Sequence, residues 1–191
     1  MIAPARSRPR NAAATRSAIL NAARSRFLLE GYDQVGLRAI AGDAGVDAAL
    51  ICRYFGSKEG LFADVLASTS KDPMDVLAGD RATFGRRVAA AMLDPSKRSP
   101  ERMAFIQLAT RSSASPVASK LVRSHIESQF IVPFTAWLGD RCAAEKAWLT
   151  AAVLMGVALL SDIEGGHPSQ NRYATDTDRL ARSLQEIVDS P

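Results

Sequence analysis

Cysteine and histidine are scarce in this chain of 191 residues, two of each, and their placement removes several classes of chemistry. Cys52 and Cys142 stand far apart, and neither has a Cys or His neighbour at ligand spacing. A disulfide framework and a zinc site are therefore not expected, and a reducing, cytoplasmic setting is the default. His125 and His167 lack carboxylate or cysteine partners at useful spacing, so neither catalysis nor metal binding is supported and no cofactor is expected. Long apolar runs are missing as well. The longest, Ala151 to Leu160, falls short of the ~18 to 20 residues that span a bilayer, so it reads as a buried helix of a soluble protein with no membrane partner. Met1 to Arg10 holds prolines and arginines where a secretory signal needs an apolar segment. Internal repeats, a glycine-rich phosphate loop and convincing runs of alternating β-branched residues are all absent. The fold class that remains is all-α.

Acidic residues are lacking at one end. Up to Arg26 the chain carries Arg6, Arg8, Arg10, Arg16, Arg24 and Arg26 with no acid, whereas from Ala67 onward bases and acids nearly cancel, for a net charge of +4. A flexible basic arm over residues 1–14, leading into a basic helix, is an electrostatic footprint for phosphate, with Arg8 and Arg10 as its contacts.

What is present is helical periodicity. Ile19, Ala23 and Phe27 repeat every four residues, which predicts a first helix over Thr15 to Glu30, stopped by Gly31. The stretch Ile40 to Leu61, IAGDAGVDAALICRYFGSKEGL, reads as a helix-turn-helix. Ile40, Ala41 and Ala44 share one apolar face, Gly45 frees the backbone for a tight turn, and Val46 plugs it from below. Asp47 offers an N-cap for a helix from Ala48 to Phe55. Ile51 and Phe55, four apart, point into a core and leave Ala48, Ala49, Cys52 and Arg53 on other faces, where a groove is read. That helix is about 12 Å long, which suits a major-groove probe. A fourth helix starts near Ser57, whose hydroxyl caps it, with Leu61, Phe62, Val65 and Leu66 facing inward. Beyond Asp72-Pro73, further helices are placed near Gly79 to Leu93, Pro100 to Thr110, Val117 to Leu138, Ala143 to Glu164 and Thr175 to Val188. Turns fall at Pro95 and Pro100, Ser112 to Pro116 and Gly165 to Pro168, and Pro133 should kink or split its helix.

The run EGY, then LRAIAGDAGV, then ALICRYFGSKEGLF resembles the amino-terminal domain of the TetR family of bacterial transcriptional regulators, over about Thr15 to Leu66. Ala22-Ala23, Phe27, Gly31-Tyr32, Ile40-Ala41, Ala44-Gly45-Val46, Tyr54-Phe55, Lys58 and Leu61 stand at the family's spacing. The resemblance implies a three-helix DNA-binding head with its connecting helix, residues 15–70, followed by a helical regulatory and dimerisation domain, residues 71–191. It further implies a homodimeric repressor that binds double-stranded operator DNA, associates with the nucleoid, and is released by a small-molecule effector.

Carried over by motif, Arg38 reaches a base edge or phosphate from the first turn of the second helix, where its guanidinium suits a guanine. Ala48, Ala49 and Leu50 match the base-facing stretch and offer apolar contact to thymine methyls. Arg53 and Tyr54 match backbone-clamping positions, and Lys58 joins its charge to free N–H groups at the start of a helix. Cys52 replaces a common aromatic, and Gly36 replaces the Ser or Thr that ordinarily caps the second helix. Both departures reduce the contacts available to phosphate.

In the second part, Ala151 to Leu160 is apolar around its whole circumference, and Ala152 with Gly156 permits close backbone approach. With Leu160, and with Leu180 and Leu184 on the last helix, they are the expected dimer contacts of a four-helix bundle across a two-fold axis. Phe105, Gln107, Arg111, Gln129 and Trp137 offer apolar walls with polar anchors for a ligand. A second reading remains from another class: a helical small-molecule-binding protein or enzyme whose head has lost DNA binding, suggested by Cys52 and the apolar Ala48-Ala49-Leu50 tip and opposed by the basic arm.

Overall fold

A computed structural model describes residues 8–69, 77–94, 100–163 and 170–191, and the side chains of all of these except 8–11, 102, 161–163 and 170–175. Every regular element among the described residues is helical, and the chain divides into two compact units. The turns expected at Asp72-Pro73, Pro95 and Gly165 to Pro168 lie outside the described residues.

The first unit comprises Met1–Ser68 together with Leu108–Val122. Its helices are α1 (Arg8–Glu30), α2 (Leu37–Ala44), α3 (Ala48–Phe55) and α4 (Lys58–Ser68). The first helix begins seven residues before the expected Thr15, because Ala12, Ala13 and Ala14 are strong helix formers and Pro9 is harmless in a first turn. Gly31, at φ +80°, stops it as expected, and its N–H donates to Phe27 O at 3.1 Å. Inside, the rings of Phe27, Tyr32 and Phe62 pack at 5.0 to 5.8 Å, with Ile19, Ala23, Val35, Ile40, Ile51, Leu61, Val65 and Leu66 buried among the head's helices. Leu108–Val122, expected to belong to the second domain, joins this unit. The Ser115 hydroxyl donates to Asp33 Oδ1 at 2.8 Å, and the Arg111 Nη1 donates to Leu29 O at 3.2 Å.

The second unit comprises Thr69–Gln107 and Arg123–Pro191. It holds a short 3-10 turn at Arg81–Thr83 leading into α5 (Phe84–Leu93), and also α8 (Val132–Leu138), α9 (Ala143–Ile163) and α10 (Gln170–Asp189). Helices α6 (Pro100–Ser112) and α7 (Pro116–Ile126) are each divided between the two units. Pro133 acts as expected. It lacks an N–H, and the long helix breaks ahead of it into one π-helical turn at Glu127–Ile131 before α8 resumes. Phe84, Val88, Ile131, Phe134, Leu138, Ala143, Ala147, Ala151, Leu184 and Val188 form the core. The α5–α10 crossing is tight enough that Gly85 is obligatory, since a Cβ there would stand 2.0 Å from Ala181 O.

Helix α9 departs from expectation in one respect. As a whole helix, Ala143–Leu160 is long and apolar enough to cross a membrane by length and composition alone. Its Ala143, Ala147 and Ala151 are used inside the core, and so is Lys146. That residue is 5% exposed, and its ammonium donates to Asp140 Oδ2 at 2.9 Å and to the Val188 and Ser190 carbonyls at the end of α10.

Candidate nucleic-acid interface

The helix-turn-helix is built as its sequence dictates. Gly36 caps α2 in an extended conformation without a side-chain bond, and Gly45 takes the left-handed conformation at φ 64° and ψ 35° that a bulkier residue resists. Val46 N–H returns to Ala41 O at 3.0 Å and closes the turn. The Asp47 carboxylate then accepts the Ala49 N–H at 2.7 Å and starts α3. With Ile51 and Phe55 buried, Ala49, Cys52 and Arg53 are exposed and Ala48, Leu50 and Tyr54 are half-buried on the remaining faces. Arg38 stands exposed on the first turn of α2. The presented surface combines an apolar tip, a thiol and two guanidinium groups.

The basic footprint is smaller than the sequence count implies. Arg16 is ion-paired with Asp64 of α4, and its guanidinium lies 4.9 Å from the centre of the Phe55 ring. Arg26 is saturated. Its Nε and Nη2 donate to both oxygens of Asp43 at 2.6 and 2.9 Å, and Nη1 donates to Glu30 at 2.8 Å. These bonds raise the guanidinium still further above its ordinary value, the Asp43 bond most, and hold the Asp43 carboxyl below the usual range. Both arginines therefore brace α1 against the helix-turn-helix instead of facing phosphate. Arg8 and Arg10 belong to α1 and not to a flexible arm; their side chains lie outside the described residues.

At the start of α4, the Ser57 hydroxyl accepts the Gly60 N–H at 3.1 Å, the cap that the sequence predicts. Lys58 is half-buried, its ammonium 4.4 Å from the centre of the Tyr32 ring. The Tyr32 hydroxyl donates to Glu59 Oε1 at 3.2 Å. Burial first, and then the Glu59 charge, push that hydroxyl's pKa up to about 12. The Glu59 carboxyl is held below the usual range by its own backbone N–H first, then by the Ser57 and Tyr32 hydroxyls. The N–H groups expected to be free beside Lys58 are thus partly engaged within the protein. Gly60 was not anticipated as a site. A Cβ there would stand 2.1 Å from Phe55 O, so glycine alone lets α4 start this close to the end of α3.

The expected ligand contacts have different surroundings. Trp137 lies 5.3 and 5.5 Å from the rings of Phe84 and Phe134 and is core packing. The ring of Phe105 lies 5.5 Å from that of His125, tilted by 40°, and burial lowers the pKa of that imidazole. Gln129 is exposed and donates to the Ser128 hydroxyl at 3.4 Å, Gln107 is half-buried, and Arg111 belongs to the first unit. Of the expected dimer contacts, Ala152 and Leu160 are exposed, and none of the described residues stands within 4 Å of a Cβ placed on Gly156. Leu184 is a correction. It is fully buried in the core of its own protomer, and Leu180 packs against that core, because α10 turns its apolar stripe toward α5.

Residues 19–65 match the tetR family of bacterial regulatory proteins, and residues 82–188 match the tetracyclin repressor-like C-terminal domain. The chain belongs to the TetR family. Its helix-turn-helix is the family's amino-terminal domain, and the helices from α5 onward are the family's carboxy-terminal domain. The HTH-type transcriptional regulatory protein RaaS of Mycobacterium tuberculosis is 35% identical over 106 residues, which is 56% of this chain and 42% of that protein. The match therefore spans about two-fifths of the curated relative's length. A TetR-family regulator from Streptomyces coelicolor A3 is 26% identical, with 97% of this chain and 99% of that one covered at a TM-score of 0.58. NalD of Pseudomonas aeruginosa, the secondary repressor of the MexAB-OprM multidrug efflux pump, is 19% identical. It shares the fold at a TM-score of 0.67 over 89% of this chain and 94% of its own.

Proposed function

We propose that this TetR-family chain is a homodimeric repressor that holds double-stranded operator DNA with two copies of the head and lets go when a small molecule binds the second unit. The observation that carries the DNA half is the geometry of α3. It is capped by Asp47, anchored by Ile51 and Phe55, and turned so that Ala49, Cys52 and Arg53 are exposed, as is Arg38 on the first turn of α2. Arg38 supplies base reading, Ala48, Ala49 and Leu50 supply apolar contact to thymine methyls, and Arg53, Tyr54 and Lys58 supply backbone contacts.

The dimer half is supported by α9. Leu149 is 53% and Leu160 61% exposed, and between them Ala152 is exposed and no described residue stands within 4 Å of a Cβ placed on Gly156. An apolar stripe of this kind, with small residues at its centre, suits a second copy of the same helix across a two-fold axis. Selection of duplexes from a random library, followed by a mobility-shift assay, tests the reading. Recovery of a two-half-site sequence retarded by a dimer is expected. Failure of the folded protein to retain any duplex would return the function to a ligand-binding protein whose head has lost its DNA role.

A further inference from the structure

The Lys58 ammonium does not hang free at the start of α4. It rests over the face of a ring that is itself only 4% exposed, packed against Phe27 and Phe62. The hydroxyl of the same ring engages Glu59, the carboxylate next to Lys58 in sequence. One residue of the α1–α2 connection thus touches two consecutive residues in the first turn of α4, and it does so from a rigid core.

The choice of partner matters for an anion site. Where α1 uses carboxylates, as at Arg26 with Asp43 and Glu30, three of the guanidinium's five N–H donors are taken and the two acids beside it repel a phosphate. A ring face attracts a cation through its quadrupole and takes only the N–H turned toward it, as a weak contact. The ammonium's other donors stay available while its flexible stem is ordered in advance.

We propose that Tyr32 is a positioning residue for phosphate binding: its ring holds the Lys58 ammonium and its hydroxyl holds Glu59 aside, so that the lysine meets the DNA backbone already ordered. This rests on the reading of the head as a DNA-binding surface.

The test uses the full chain and the duplex that the wild-type protein selects from a random library, with affinities measured by fluorescence anisotropy for Tyr32→Phe, Tyr32→Leu, Lys58→Ala and the double variant Tyr32→Leu with Lys58→Ala. Tyr32→Phe keeps the ring but releases Glu59, so it should weaken binding about twofold, less than Tyr32→Leu. Tyr32→Leu should weaken binding about threefold to fivefold when Lys58 is present and not at all when it is alanine. An indifferent structural role would give the same loss in both backgrounds, and that result overturns the proposal. Because Tyr32 lies in the core, NMR supplies a reading that needs only the wild-type and Tyr32→Phe proteins. The ε-methylene protons of Lys58 should be shifted upfield by the ring in both, and an unshifted signal in the wild type overturns the proposal. Loss of no affinity on Lys58→Ala, while the wild type binds its duplex, overturns it too and leaves DNA binding intact. A wild-type protein that selects no duplex overturns the DNA reading itself and this inference with it.

Discussion

Three glycines inside helices differ in what surrounds them, and the difference sets the sign of an alanine substitution. Alanine in a helix interior ordinarily gains about 1 kcal/mol over glycine. At Gly60 and Gly85 the new Cβ would meet a carbonyl oxygen at 2.1 and 2.0 Å, so the backbone must move. Gly60→Ala and Gly85→Ala should each destabilise by about 1 to 3 kcal/mol, whereas Gly156→Ala, in open space, should leave the protomer as stable or more so. Urea denaturation monitored by circular dichroism decides it, and a gain at Gly60 would contradict the close approach of α3 and α4. Carboxylates give a second residue-scale prediction. Asp43, Glu59 and Asp140 are held below the usual range, Asp140 chiefly by its bond to Lys146. A depressed native value means stability that is present above the unfolded value and lost as pH falls through the native one. Thermal stability should therefore decline below about pH 4, and the Lys146→Met variant should show less of this decline through Asp140. Removing that buried ammonium should itself cost about 1 to 3 kcal/mol, since it leaves the Ser190 carbonyl short of a donor, while Val188 O keeps the Arg81 guanidinium at 2.6 Å. What the sequence shows at this scale is short-range. The Asp47 and Ser57 caps and the Gly31 and Gly45 turns act within about four residues of themselves and were legible. The Arg16–Asp64, Arg26–Asp43 and Tyr32–Glu59 pairs join residues distant in sequence, and no local pattern marks them.

Among the elements, α9 carries the clearest unspent surface. Its core face of Ala143, Ala147 and Ala151 serves the protomer, while Leu149, Ala152, Gly156 and Leu160 run along another face at helical spacing. Gly156→Leu should hold two paired copies of this helix apart, cost the dimer about 1 to 3 kcal/mol or more, and yield monomers in analytical ultracentrifugation. Gly156→Ala should remain dimeric. An unchanged dimer with leucine, or a monomeric wild type, would remove α9 from the interface. Element existence and type were readable from four-residue periodicity, and so was the break at Pro133, because a missing N–H is a property of the residue itself. Boundaries were less so. Helices α1 and α10 begin earlier than the apolar repeat does, at Arg8 and Gln170, since helix propensity continues where no apolar face is needed. The assignment of Leu184 to a partner failed for a related reason. An apolar stripe announces burial, and periodicity alone does not say whether the cover is the same chain or another.

For the whole molecule, the two-part organisation was legible in outline, from the shift between a basic, helix-turn-helix-bearing end and a more neutral remainder. The membership of Leu108–Val122 in the first unit was not, because Arg111 to Leu29 and Ser115 to Asp33 are long-range bonds. If an effector bound in the second unit weakens operator binding tenfold, operator DNA must weaken effector binding by the same factor, about 1.4 kcal/mol. Trp148, 38% exposed beneath the Arg123 guanidinium, gives a fluorescence signal for screening effectors with free and DNA-bound protein. Under the proposed function, the head binds DNA through distinct base-reading and phosphate-binding residues. Anisotropy titrations over a range of salt, with the selected duplex and its single-base variants, test it most directly. Arg38→Ala should cost about 1 to 3 kcal/mol and relax the preference at one position per half-site, while Lys58→Ala should weaken every duplex alike and reduce the salt slope by about one unit per head. Equal losses on all variants for Arg38→Ala, with an unaltered slope for Lys58→Ala, would contradict the account.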